Sequence, residues 1–256
     1  MKYNYHTHTV RCRHASGTER EYIENAIAAG MKTLGFSDHV PYPFDEGYYS
    51  GFRMFPEQTE DYVKTLVGLR EEYKGKIDIK IGYEAEYYPA LFERMLKLIT
   101  SYECDYIIMG QHFMENEVTR KYSGRTVDDE AYLKQYVDQV CEGMKTGLFT
   151  YIAHPDLMNF VGEEAVFDRE YGRLIACASD LGLPLEINLL GVRDRRAYPH
   201  NRFFELCGKM NATVCIGCDA HSADVVSDDE SYRKALEMCE RYGLILAENP
   251  VLRPVR

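Results

Sequence analysis

Short apolar runs alternate along the chain with longer stretches that carry an apolar stripe at helical spacing. The runs at residues 2–6, 33–37, 77–83, 105–110, 150–153, 184–188 and 213–218 are expected to be strands. Nearly all lead into amphipathic stretches, at 19–29, 56–73, 90–100, 128–146, 168–181, 200–210 and 229–242, which are expected to be helices. Gly30, Gly147, Gly182 and Gly243 stand just past four of these, where a left-handed cap belongs. Residues 244–246 can add a short final strand. With no internal repeat, low-complexity tract or linker, the pattern predicts one domain spanning 1–256.

Strands that alternate with helices imply a mostly parallel α/β sheet, open or closed. An open doubly wound sheet usually carries a glycine-rich phosphate loop after its first strand. Here the first strand runs into His6-Thr7-His8-Thr9 instead. The expectation is therefore a TIM-like barrel distorted from eight ideal repeats, with its active site at the C-terminal ends of the strands.

Those strand ends carry the candidate chemistry. In order they read His6 and His8; Ser37-Asp38-His39; Gly82-Tyr83-Glu84-Ala85-Glu86; Gly110-Gln111-His112; Ala153-His154-Pro155-Asp156; Glu186-Ile187-Asn188; and Asp219-Ala220-His221. Residues two apart on a strand share a face, so His6 with His8, and Asp219 with His221, can each reach one ion. Singly, each motif has an ordinary explanation as a packed or surface residue. Together they deliver a histidine or carboxylate from nearly every strand to one rim, which scattered histidines would not do. Imidazole and carboxylate donors suit Zn, Mn or Fe. Either Glu84 or Glu86 could be the ligand. His14, in a loop beside Arg11 and Arg13, would be solvent-exposed if taken alone, and His200, at an expected helix start beside Pro199, reads as exposed or capping.

Composition narrows the substrate. The formal net charge of −11 disfavours nucleic acid as a partner and disfavours long-range attraction of any anion. A phosphate ester would need local cations, which bound divalent metals provide. No apolar run is long enough to cross a bilayer, and the N-terminus lacks the apolar segment of a signal peptide, so a cytoplasmic protein with eight reduced cysteines is expected. Cys215 and Cys218 lack the second pair a structural zinc would want and read as core residues.

The ordered set His6-Thr7-His8, His14, Ser37-Asp38-His39, Gly82-Tyr83-Glu84, Gln111-His112-Phe113, His154-Pro155-Asp156 and Asp219-Ala220-His221 resembles the motifs of the PHP (polymerase and histidinol phosphatase) family. Within it, Ser37-Asp38-His39-Val40-Pro41, Glu186-Ile187-Asn188, Gly191-Val192-Arg193 and Tyr198-Pro199 are most similar to the histidinol-phosphatase branch. The resemblance implies a distorted (β/α)7 barrel with two or three divalent ions. It places one ion on His6, His8, Glu84 and Asp219, a second on Glu84, His112 and His154, and a third on His14, His39 and His221. The implied reaction is hydrolysis of a small phosphate monoester, L-histidinol phosphate above all. Asp219 and His221 are ligands first and the candidates for any proton transfer. Arg193 and then Arg53 are the candidate phosphate clamps, with Arg195 and Arg196 read as surface charge. Asn188, with Glu186, is a candidate substrate contact, and Asp38 and Asp156 are candidates to orient ligating imidazoles. One departure stands out: the segment after His154 lacks the basic residue usual in that branch. A C–N hydrolase on a similar barrel and a non-catalytic metal-binding module are the competing readings. The former commonly uses a bridging lysine, which no third- or fourth-strand end supplies here.

Overall fold

The computed structural model describes residues 1–45 and 47–255. Eight parallel strands form one curled sheet: β1 (Tyr3–Asn4), β2 (Thr33–His39), β3 (Asp78–Ala85), β4 (Tyr106–Met109), β6 (Phe149–Ile152), β8 (Leu185–Asn188), β9 (Thr213–Gly217) and β10 (Ile245–Leu246), hydrogen-bonded in that order. Eight helices complete the α/β pattern: α1 (Glu19–Ala28), α2 (Thr59–Glu72), α3 (Phe92–Ile99), α4 (Glu130–Met144), α5 (Glu164–Asp180), α6 (Leu189–Asp194), α7 (Asn201–Lys209) and α8 (Asp229–Tyr242).

The eighth strand, β10, falls within the short final strand read at 244–246, and its pairing bears on the closure of the sheet. β10 pairs with the start of β9, at Ile245↔Thr213 and Leu246↔Val214. β1 reaches β9 only beyond its end, through the bridge Thr7↔Ala220. There the His8 N–H donates to the Ala220 carbonyl at 2.9 Å and the Ala220 N–H to that of His6 at 3.3 Å. The barrel is thus joined at its C-terminal rim, where His6, His8, Asp219 and His221 emerge.

Pairing register brings other candidates level. β2 and β3 run together from Thr33↔Asp78 to His39↔Glu84, so this histidine and glutamate finish side by side. The wall is sealed by apolar side chains between sheet and helices. Inside the curl lies a smaller cluster of Tyr5, Tyr106, Ile108, Tyr151, Ala153 and Cys215. The Tyr106 ring fits because Gly35 and Gly82 lack side chains: a Cβ would meet it at 2.3 Å and 2.5 Å respectively. Its hydroxyl donates to the Tyr5 carbonyl at 2.8 Å, so the buried polar end is satisfied.

Helix boundaries depart from the expectation where local hydrogen bonding outweighs apolar spacing. Residues 56–58 form a 3-10 turn ahead of α2. The six-residue α6 has no periodic stripe, and is started by the Asn188 side chain accepting from the Gly191 N–H at 3.0 Å. A two-stranded parallel pair, β5 (Thr126–Val127) with β7 (Asn159–Phe160), is too short to leave a pattern. His200 precedes α7, but its side chain makes no cap. The ring is half-buried against Phe167, with centroids 5.0 Å apart, and its backbone N–H donates to Asp156. Gly243 closes α8 in the left-handed conformation (φ 63°) anticipated for it. Cys215 and Cys218 are both buried, and all eight cysteines are free.

Candidate metal centre

The nine expected ligands converge at the rim. Glu84, almost wholly buried, stands in the middle. Its Oε1 lies 2.8 Å from His154 Nε2, 3.5 Å from His112 Nε2 and 3.6 Å from His6 Nε2. Its Oε2 lies 3.0 Å from His39 Nδ1 and 3.6 Å from His8 Nε2. Asp219 Oδ1 faces His8 Nε2 at 3.1 Å, His221 Nδ1 at 3.3 Å and His6 Nε2 at 3.5 Å. His14, which spacing alone left in a solvent-exposed loop, meets His221 with Nε2 atoms 3.0 Å apart.

The space for these carboxylates is made by glycine. A Cβ on Gly110 would sit 1.9 Å from Glu84 Oε1, and one on Gly217 would sit 1.7 Å from Glu186 Oε1. The backbone is also forced. His154 and Asp219 adopt φ of 30° and 49°, a region that costs a non-glycine residue on the order of 1 kcal/mol or more and persists only where the surroundings impose it.

A row of acids holds the imidazoles from behind. Glu186 accepts from His6 Nδ1 at 2.8 Å, from the His154 N–H at 2.9 Å and from Asn188 Nδ2 at 2.9 Å. Glu86 accepts from His112 Nδ1 at 3.0 Å, and the carbonyl of Cys12 from His14 Nδ1 at 2.9 Å. The three interactions at Nδ1, of His6, His112 and His14, favour the tautomer whose free Nε2 lone pair points into the centre. By position, Glu84 faces the cluster and Glu86 stands behind His112.

The electrostatics are those of a site built around cations. Burial opposes charge on His6, yet Asp219, Glu186 and Glu84 outweigh it and lift its pKa well above the ordinary value. His8 is lifted to about 9 against the same burial, by Asp219 and Asp38. Burial would raise Glu84 and Asp219, but the surrounding imidazoles pull both well below the usual carboxylate range. Burial and the neighbouring His8 hold His39 well below the ordinary imidazole value and His221 down to about 3.

A metal fits these residues on two counts. Among the described residues, buried His6 Nε2, His8 Nε2, His39 Nδ1, Glu84 Oε2 and Asp219 Oδ1 have no hydrogen-bond partner, which is costly unless something else occupies their lone pairs. Donor atoms of His6–His8–Asp219, His6–Glu84–His154 and His14–His39–His221 also lie within 4.8 Å of one another in each group. Nitrogen and oxygen donors of this kind suit Zn, Mn or Fe.

Over the centre opens a cavity of about 430 Å³, walled by Phe52, Phe113, Tyr122, Leu157, Leu190 and Tyr198. The expected substrate contacts are corrected here. Arg53 is buried and fully engaged. Its Nε donates to Glu117, and its Nη atoms donate to the Val40 carbonyl and to both oxygens of Glu86. Arg193 donates to Asp228 at 3.0 Å and is not among the lining residues. Asn188 is buried, starts α6 and donates to Asp219 Oδ2 at 3.0 Å. Asp156 accepts from the His200 N–H and touches no imidazole ligand, whereas Asp38 Oδ1 does stand 3.6 Å from His8 Nδ1. Sequence reasoning missed Arg196, Asp194, Tyr122 and Tyr198, all of which line the cavity from segments without periodic signal.

A rim of histidines around two central carboxylates, on a curled parallel sheet, defines a class of metal-centred α/β barrel, and residues 4–190 match the PHP domain family. The chain belongs to that family. It is 30% identical to a probable histidinol-phosphatase of Deinococcus radiodurans over 225 residues, 84% of this chain and 85% of that one. It is 24% identical to the histidinol-phosphatase of Bacillus subtilis, over 91% of this chain and 98% of that protein. Among solved structures, the histidinol phosphate phosphatase of Lactococcus lactis, complexed with zinc, L-histidinol and phosphate, superposes with a TM-score of 0.73 over 99% of this chain and 97% of that one. At 18% identity that likeness concerns the fold.

Proposed function

We propose that the protein hydrolyses L-histidinol phosphate to L-histidinol and phosphate, with two or three divalent ions held by His6, His8, His14, His39, Glu84, His112, His154, Asp219 and His221. The observation that carries this reading is the set of buried, unpartnered nitrogen and oxygen atoms gathered around Glu84 and Asp219. The histidinol-phosphatases among the relatives support the choice of substrate.

Bound ions would bring the pKa of a water into the neutral range and neutralise charge on the phosphoryl oxygens. The rest falls to side chains. Glu84 offers one oxygen to each half of the cluster, so it fixes the spacing of the whole centre. Glu186 and Glu86 keep His6 and His112 in the tautomers that present Nε2. Asp219 and His221 both line the cavity, and burial with their neighbours keeps both without a proton near neutrality, so their part is ligation and the orientation of a water that protonates the departing alkoxide. Phe52, Phe113 and Leu157 exclude bulk water and leave room for an imidazole ring. Eight free cysteines agree with a cytoplasmic, reducing setting, and no described helix is long and apolar enough to cross a membrane.

The test is phosphate release from L-histidinol phosphate by protein loaded with Mn or Zn. Turnover that a chelator abolishes is the expected result. Strong metal-dependent turnover of another phosphoester, with none of this one, would overturn the substrate and keep the reaction class.

A further inference from the structure

The proposed phosphatase reaction needs a cation facing the phosphate and a partner for the rest of the substrate. Among the described residues that line the cavity, Arg196 is the sole arginine or lysine, and Asp194 stands beside it. Arg53 has its donors committed to Glu86, Glu117 and Val40, and Arg193 is held by Asp228. The segment after His154 offers no basic residue, and its Asp156 accepts from the His200 N–H. Arg196 is therefore the guanidinium left to meet an anion in this cavity.

Arg196 and Asp194 are paired in this structure. Nε and Nη2 of Arg196 approach Asp194 Oδ2 at 3.3 Å and 3.1 Å, and Nη1 donates to the Tyr198 hydroxyl at 3.1 Å. Their side chains are 42% and 41% exposed, so water screens the pair and exchanging it for other partners costs little. Tyr122 and Tyr198 line the same cavity, and the Tyr198 ring, whose hydroxyl accepts from Arg196, lies 5.8 Å from the His154 ring.

We propose that Asp194 and Arg196 form a split recognition site for a phosphate monoester that also carries an ammonium group, Arg196 taking the phosphate and Asp194 the ammonium. This deepens the reading above and rests on it. A zwitterionic ester exchanges one exposed ion pair for two ligand contacts. An ester without the ammonium takes Arg196 but leaves Asp194 unpaired beside a phosphate, so the same carboxylate attracts one substrate and repels the other.

The experiment compares L-histidinol phosphate with its deamino analogue, 3-(imidazol-4-yl)propyl phosphate, in wild type, Asp194→Asn and Arg196→Met, all metal-loaded and with metal content measured. Wild type is expected to favour the amino ester by about ten-fold or more in kcat/KM. Asp194→Asn is expected to lose about ten-fold on the amino ester, chiefly in KM, and to hold or gain on the analogue. Arg196→Met is expected to lower both alike. Calorimetric binding of L-histidinol should weaken with Asp194→Asn by a similar factor at unchanged metal content, a readout independent of turnover. Equal losses on both esters in Asp194→Asn, or none on the amino ester, would overturn the proposal while the phosphatase reading stands. If metal-loaded wild type turns over neither ester nor any other phosphoester, the earlier reading fails and takes this one with it.

Discussion

Replacing Glu186 by Gln isolates the tautomer control on which the centre depends. Glu186 is wholly buried and accepts three hydrogen bonds. Its Oε2 serves both the His154 N–H and Asn188 Nδ2, while Oε1 serves His6 Nδ1. A glutamine has one acceptor oxygen. The best placement keeps it at the Oε2 position, where two donors need it, and turns the NH2 group toward His6 Nδ1. Two donors then face each other, unless His6 moves its proton to Nε2, the atom that points at Glu84 and Asp219 from 3.6 Å and 3.5 Å. In the first case His6 loses the acceptor that orients it, and in the second it loses the Nε2 lone pair it would offer an ion. Losing such a supporting hydrogen bond typically weakens metal affinity about 10- to 100-fold, or roughly 1.4–2.7 kcal/mol. Competition with a chromophoric chelator measures it, with near-ultraviolet circular dichroism to confirm the fold. A Glu186→Gln protein that holds metal within about three-fold of wild type would refute the reasoning.

Three further outcomes follow from the same geometry. Gly110→Ala should strip metal from a folded protein, because its Cβ would fall 1.9 Å from Glu84 Oε1; plasma emission on purified protein reads this, and full occupancy contradicts it. In metal-free protein His8 has its pKa raised from 6.5 to about 9, so its proton stabilises the fold fully below pH 6.5, and that contribution, on the order of 3 kcal/mol, is lost as pH rises through 9. Stripped protein should therefore melt lower at pH 9 than at pH 6.5, while metal affinity rises over the same window; a flat profile for both would contradict this. Asp156, raised by burial from 3.8 to about 7, penalises the fold progressively as pH rises from 4 to 7, so Asp156→Asn, which keeps an acceptor for the His200 N–H, should stabilise the protein at pH 8 relative to pH 5 in thermal melts.

The convergence of most candidate ligands was legible because a parallel barrel converts strand-end position into spatial proximity. His39 and Glu84, 45 residues apart in sequence, are register partners, as the strand-end rule implies. His14 was recoverable only through the family resemblance, since nothing in its loop announces that Cys12 will orient it toward His221. The arginines were misread for a physical reason. Sequence position says that Arg53 and Arg193 follow the right strands, but not that Glu86 and Glu117 bury one and Asp228 holds the other. Asn188 and Glu186, read as candidate substrate contacts from their place at a strand end, are both buried. Likewise, the barrel's closure rests on a single bridge at Thr7 and Ala220, below the length at which an apolar pattern registers, whereas the two-residue β10 falls within the short final strand read at 244–246.

The central claim is that this rim holds several divalent ions that the reaction requires. Metal stoichiometry by plasma emission, taken alongside L-histidinol phosphate turnover as a chelator withdraws metal and Mn or Zn restores it, tests it most directly. The account predicts two to three ions per chain, with activity falling and returning in step with them, and with both lost in Glu84→Ala. Undiminished turnover by a chain holding less than one ion would contradict it.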